Sequence, residues 1–228
     1  MVRWLGALLF LCAVAHAAPA RLTLHYSLSR NGQEVAEVVE TFSQAKGRYS
    51  IESVTRAVGV FRLLSQDSIR FLSTGQVTSM GLKPLHFEHH RGSREARRII
   101  ADFDWKTRTA RFQHDGEIHS LPIPAGLQDR LSLMYQFMYL KLDASELLFQ
   151  MSNGRSISRY QYRRVGEETL STPAGTFRTV RFSRVGTADE DGTDVWLALD
   201  GLQLPVKVVF EEAHGARVTQ ILTSLTSE

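Results

Sequence analysis

The run His86-Phe87-Glu88-His89-His90 concentrates the groups most able to do chemistry. On a strand, alternate side chains share a face, so His86, Glu88 and His90 would project together. Two imidazoles and a carboxylate can hold zinc or non-haem iron. The same residues also suit the solvated face of a strand, and that plainer role is the expectation. They stand as weak metal candidates only, and no cofactor is predicted. Asp189-Glu190-Asp191-Gly192-Thr193-Asp194 offers oxygen ligands of the kind calcium takes. It lacks the Glu that completes an EF-hand loop, and a hairpin tip uses the same Asp-Gly step. Asp102 and Asp104 flank Phe103 as a same-face carboxylate pair, read as the polar side of a strand.

Arginines form two groups. Arg91, Arg94, Arg97 and Arg98 surround Gly92-Ser93, and Arg155, Arg159, Arg163 and Arg164 follow later. Such guanidinium groups can grip phosphate or carboxylate on an envelope glycolipid or partner protein. A charge run is more often a solvated face. The familiar catalytic signatures are missing: no G-x-S-x-G elbow, no H-E-x-x-H, no P-loop, no dinucleotide fingerprint. No catalytic residue is predicted, and the reading leans away from an enzyme.

The elements that must carry these residues are strands. Asn31-Gly32, Lys46-Gly47, Asp115-Gly116 and Asn153-Gly154 sit between strand-like runs, as do Gly75, Gly175, Gly192 and Gly215. Asn-Gly and Asp-Gly favour the positive φ that tight hairpins need. Between them the residues alternate. Leu22, Leu24, Tyr26 and Leu28 would share one face, and Ile99, Ala101, Phe103 and Trp105 another. Alternation implies an antiparallel sheet with one buried face.

One segment departs from the pattern. Asp129 can cap a helix running to Leu142, with Leu131, Met134, Tyr135 and Met138 on the i, i+3, i+4 stripe. Leu133, Phe137, Tyr139 and Leu140 make the other side apolar too. A helix apolar nearly all round is buried on several sides. The expected fold is therefore mainly β: a single antiparallel, strongly curved sheet, half-barrel or barrel-like, enclosing one apolar α-helix.

The 228 residues are 43% hydrophobic and 22% charged, ordinary for a globular protein and too polar for a multipass membrane protein. The N-terminus predicts an address. Arg3 precedes an apolar run from Trp4 to Ala15, and Ala15-His16-Ala17 forms an A-x-A cleavage site. Residues 1–17 read as a signal peptide, with a second cleavage point after Ala20, and 21–228 as one β-rich periplasmic domain. Leu11 before Cys12 argues against a lipid anchor. Cleavage removes the single cysteine, leaving no disulfide and no thiol chemistry. It also leaves 26 basic against 24 acidic residues, a slight excess that suits an anionic envelope surface and is no nucleic-acid signature. The processed chain is expected to be no integral membrane protein.

Five stretches, taken in order, carry a resemblance. They are Gly81-Leu82-Lys83-Pro84, Phe103-Asp104-Trp105, Gln128-Asp129-Arg130-Leu131-Ser132-Leu133, Thr172-Pro173-Ala174-Gly175-Thr176-Phe177, and Trp196 with Leu204-Pro205-Val206. From about Leu22 to Leu222 the chain resembles the bacterial exported proteins of the domain of unknown function 3108 family. The resemblance implies a periplasmic, β-rich protein and supplies no catalytic set. It makes Gly81 and Pro84 shapers of a strand connection, Gly175 a hairpin tip, and Pro205 the start of an edge or terminal strand.

The function expected is non-enzymatic binding of a lipid or other apolar ligand, or of an envelope component. Leu131, Met134, Phe137, Met138 and Tyr139 would line or plug the cavity. An assembly factor acting on an envelope protein through Arg91, Arg94, Arg97 and Arg98 is the alternative. A metal-dependent envelope enzyme built on His86 is the third reading.

Overall fold

The computed structural model describes residues 19–64, 67–92, 98–184, 192–212 and 215–228. The expected signal segment, Arg94, Arg97 and the acidic stretch up to Asp191 lie outside them. In chain order the elements are β1 (Arg21–Arg30), β2 (Gln33–Ala45), β3 (Arg48–Ala57), a single helical turn α1 (Phe61–Leu64), β4 (Ile69–Thr78), β5 (Gly81–Arg91), β6 (Ile99–Asp104), β7 (Thr109–His114), β8 (Glu117–Pro122) and β9 (Leu127–Asp129). Helix α2 (Arg130–Gln136) follows, then a 3₁₀ turn at Phe137–Tyr139. β10 (Glu146–Ser152), β11 (Ile157–Thr172), β12 (Gly175–Arg184), β13 (Gly192–Ala198), β14 (Pro205–Glu211) and β15 (Arg217–Ser227) complete the chain.

The fold is mainly β, as the alternation predicts. Fifteen strands among the described residues form one sheet, in the order β8-β7-β6-β5-β4-β3-β2-β1-β15-β14-β13-β12-β11-β10-β9. Nearly every neighbour is antiparallel, because hairpins join successive strands. Asn31, Lys46 and Asp115 hold φ near +50° beside their glycines, as tight hairpins require. The exception is β9, which pairs parallel with β10. The ladder does not close: the sheet is open, in place of the strongly curved half-barrel or barrel expected from the alternation. β8 and β9 are its edges, because the chain between them leaves β8 and returns only to lie alongside β10. At that margin side chains take the place of a ladder: His119 Nε2 lies 3.0 Å from the Arg155 carbonyl, and Arg155 pairs with Asp115 at 2.6 Å.

Leu22, Leu24 and Tyr26 are buried on one face, as their spacing requires. Gly75 is not a turn. It lies inside β4 at a register shift, where an added Cβ would fall 2.2 Å from the Lys83 carbonyl oxygen. Only a glycine lets β5 pass that close. Gly81-Leu82-Lys83-Pro84 likewise opens β5 instead of linking strands. Pro205 begins β14, but that strand is paired on both sides, by β13 and β15.

The helix is shorter than expected. Beyond Gln136 the backbone tightens into the 3₁₀ turn, and Leu140 is extended at φ −108°, ψ 154°. Seven helical residues span about 10 Å. That length carries the chain from β9 to the β4–β5 turn, where the Gln136 side chain bonds Met80 and Leu82. Leu131 and Tyr135 pack with residues of β1–β3, β5 and β13–β15. Leu133 and Phe137 pack with residues of β10–β14. A third cluster joins Phe87, Phe103 and Phe112 to Ile123 and Leu127.

Candidate functional site

Helix α2 begins on Asp129, whose spacing marked it as a cap. Its Oδ1 accepts from the Leu131 and Ser132 amides at 2.9 and 2.8 Å, and Ser132 Oγ accepts from the Asp129 amide at 2.9 Å. This reciprocal capping box satisfies amides that would otherwise be orphaned in the interior. The second carboxylate oxygen accepts from Ser73 Oγ of β4 at 2.5 Å, and the Tyr49 hydroxyl lies 3.1 Å from that same Oγ. Asp129 is fully buried. Burial raises its pKa to about 6, against the pull of the four donors around it.

One turn on, Tyr135 stacks on Phe42 with ring centroids 5.2 Å apart. Its hydroxyl donates to Glu40 at 3.0 Å, and Ser53 donates to the other oxygen at 3.2 Å. Burial pushes the Glu40 pKa up, with those two bonds opposing it. At the far end Gln136 donates to the Met80 carbonyl at 2.8 Å and accepts from the Leu82 amide at 2.7 Å. Gln128 donates to the Leu82 carbonyl at 2.8 Å. Gly81 has φ +100°, and a Cβ there would fall 2.3 Å from Gln136 Oε1. The helix is thus fastened at both ends by polar side chains inside an apolar shell.

The five residues predicted to line or plug a cavity divide into two sets. Leu131 and Phe137 are buried, and Phe137 is ringed by Phe149, Tyr162 and Phe182. These two fill the interior. Met134, Met138 and Tyr139 are only half-buried. Tyr139 Oη reaches Gln44 at 3.5 Å, beside the β2–β3 hairpin. Met80, whose carbonyl Gln136 holds, is 82% exposed at the β4–β5 turn. Met138 and Tyr139 thus follow the end of the helix, and Met80 lies at the turn that Gln136 holds.

The interior carboxylate Glu40 was not among the residues singled out from sequence. A signal for it exists. Val38, Glu40 and Phe42 share one parity on β2, and both flanking residues are buried. An acid in the core-facing register is the clue.

On the opposite side of the sheet, His86, Glu88 and His90 do share a face, but they are already engaged. His86 Nδ1 lies 2.6 Å from Asp102 and its Nε2 2.8 Å from Glu88. Arg98 donates to the same Glu88 oxygen at 2.9 Å. His90 Nε2 stands 3.9 Å from Glu88. Desolvation lowers the His86 pKa, yet its bonds to Asp102 and Glu88 outweigh this and raise it overall. Desolvation likewise raises Glu88, and the bonds from His86 and Arg98 bring it below the usual carboxylate range. Among the described residues no group of three or more His, Cys, Asp or Glu is arranged to hold a metal ion. A cleft of about 230 Å³ beside this network is lined by Arg70, Leu72, Glu88, His90 and Arg98. Arg70 is bound to Glu52 at 2.7 Å.

Of the arginines expected to form a binding surface, Arg94 and Arg97 lie outside the described residues. Arg91 is exposed and Arg98 half-buried against Glu88. In the second group Arg155 pairs with Asp115, Arg163 with Glu146 at 3.6 Å, and Arg164 with Glu167. His89 stacks on Phe71 at 4.2 Å, and burial with nearby arginines pushes its pKa down to about 4.

A family model described as protein of unknown function (DUF3108) matches residues 22–223. No curated protein matches the sequence. Among solved structures, the chain is similar to a beta-barrel-like protein of the domain of unknown function DUF1849 from Brucella abortus. Identity is 8% and the TM-score 0.58, over 92% of this chain and 98% of that one. A candidate exported protein with a YmcC-like fold from Bacteroides fragilis gives 10% identity and a TM-score of 0.40, over 92% and 97%. The first of these likenesses establishes a shared fold and nothing further.

Proposed function

The chain belongs to the DUF3108 family, and from that premise we propose that it is an exported, non-enzymatic binding protein of the bacterial envelope. It holds the apolar part of a lipid or other envelope component at the lip formed by Met80, Met138 and Tyr139. The observation that carries this reading is the division along the helix. Leu131 and Phe137 are sealed in the core, while Met138 and Tyr139, next to Phe137 in the 3₁₀ turn, stay half-exposed. Methionine is flexible and polarisable, and suits a surface that accepts varied apolar chains. Two further features support it. The helix is packed by strands from distant parts of the sheet order, and the Brucella protein of similar fold is described as beta-barrel-like. The segment from Met1 to Ala17 has the charge, apolar run and cleavage site of an export signal.

The test is mass spectrometry of the processed protein, purified without detergent, under native and denaturing conditions. A lipid-sized adduct in the native spectrum, lost on denaturation and absent from a folded Met138→Asp variant, is the expected result. An adduct-free native spectrum, together with no displacement of a fluorescent acyl probe, overturns the reading.

A further inference from the structure

We propose that the turn between β3 and β4 is a lipid-surface anchor, inserting Val60 and Leu63 into an anionic membrane face. The segment reads Thr55-Arg56-Ala57-Val58-Gly59-Val60-Phe61-Arg62-Leu63-Leu64 and contains two arginines and no acid. Its backbone closes three successive i→i+3 bonds: Phe61 to Val58 at 3.1 Å, Arg62 to Gly59 at 3.3 Å and Leu63 to Val60 at 3.1 Å. In such a turn, side chains three apart eclipse one another. Val60 and Leu63 therefore stand together on one side, and they are 65% and 85% exposed. Two large apolar side chains side by side in water are costly unless something covers them.

The charges around the turn select what covers it. Arg56, Arg62 and Arg91 are exposed at this end, against Glu34 beside Val35, Glu37 opposite Arg56 and Asp67 after the turn. Across this end the exposed acids and arginines balance, but within residues 55–64 the only charges are Arg56 and Arg62, which stand beside Val60 and Leu63 in the chain. That arrangement matches a bilayer surface with anionic headgroups, where side chains insert and guanidinium groups meet phosphate. The turn is also pre-set. The Val58 amide bonds the Val35 carbonyl at 3.1 Å, and Arg62 Nε bonds the Ala57 carbonyl at 3.3 Å, so little order remains to be imposed on binding. β4 separates this turn from the β4–β5 turn that carries Met80, so an anchored molecule presents the lip away from the membrane. The anchor stands independently of the lip reading.

The experiment is co-sedimentation of the processed chain with vesicles of phosphatidylcholine alone or mixed with phosphatidylglycerol. The wild type is expected to bind the anionic vesicles, and less so in high salt. Val60→Asp combined with Leu63→Asp should weaken binding by about tenfold or more. Arg56→Gln combined with Arg62→Gln should weaken it by a similar factor for anionic vesicles only. All four positions are exposed, so circular dichroism should show unchanged folding. Met138→Asp should bind vesicles like the wild type, which separates the anchor from the lip. Equal binding by wild type and the Val60/Leu63 variant, or no binding to anionic vesicles, overturns the proposal.

Discussion

Ser73 donates a 2.5 Å hydrogen bond to Asp129 across 56 residues of sequence. It ties the first turn of helix α2 to strand β4 of the sheet. The carboxyl it grips is fully buried and carries a pKa near 6, where an ordinary aspartate has 3.8. An acid whose folded pKa is raised stabilises the fold fully below its ordinary pKa. It loses that contribution as pH rises through the folded value. Asp129→Asn keeps the capping oxygen and removes the titration. Relative to this variant, the wild type should lose about 2 kcal/mol of stability between pH 4 and pH 7. Urea denaturation of both proteins at the two pH values measures it. A constant difference would show that Asp129 does not titrate in this window.

His86 works in the opposite chemical sense. A neutral imidazole has one N–H, yet both ring nitrogens lie within hydrogen-bond distance of carboxylates. Only the doubly protonated ring satisfies both. Since its pKa is raised on folding, its contribution is fully present below the ordinary histidine pKa and is lost as pH rises through the folded value. His86→Gln should therefore destabilise the protein more at pH 5.5 than at pH 8.5. Chemical denaturation at both pH values reads the difference. A larger loss at pH 8.5 would contradict the double hydrogen bond.

Gly75 is the tightest point in the sheet. A Cβ there would meet the Lys83 carbonyl at 2.2 Å, the Tyr49 ring at 2.7 Å and the Pro84 Cα at 2.9 Å. Two of the three are backbone and cannot swing aside. Gly75→Ala should cost more than about 2 kcal/mol by prising β4 from β5. Because Tyr49 is one of the displaced groups, the hydrogen bond it shares with Ser73 should loosen as well. Thermal melting gives the loss. Gly116→Ala is the control for a positive-φ hairpin glycine with open space around it, and should cost only backbone strain.

The sheet was legible in the sequence because its signals are local. Leu22, Leu24 and Tyr26 announce their shared face by alternation, and Asn31-Gly32 announces its turn by backbone preference. The cap at Asp129 was legible for the same reason. What escaped depends on contacts distant in the chain. The end of the helix at Gln136 meets Met80 and Leu82, which hold its side chain, and nothing within residues 129–142 encodes those partners. Gly75 reads as a turn by composition, and only the neighbouring β5 shows it to be a point of close approach. The His86 network needed Asp102 and Arg98 from outside its own strand. Alternation could put His86 and Glu88 on one face, but could not show that both were already bound.

Phe137 and Met138 are adjacent, and the structure gives them different work. Phe137 is fully buried, in edge-to-face contact with Phe149 and Tyr162 and stacked with Phe182. Truncating it leaves a cavity among the rings of Phe149, Tyr162 and Phe182. Phe137→Ala should cost about 3–5 kcal/mol. Met138 is half-buried, so Met138→Ala removes less packing and should cost about 1 kcal/mol or less. If the apolar lip binds the ligand, the order reverses for retention of a fluorescent acyl probe. Met138→Ala should weaken it at near-native stability, whereas Phe137→Ala, assayed where it is still folded, should retain it. Denaturant melts paired with probe titrations test both halves. Probe binding that follows stability in both variants would place the contact in the core and not at the lip.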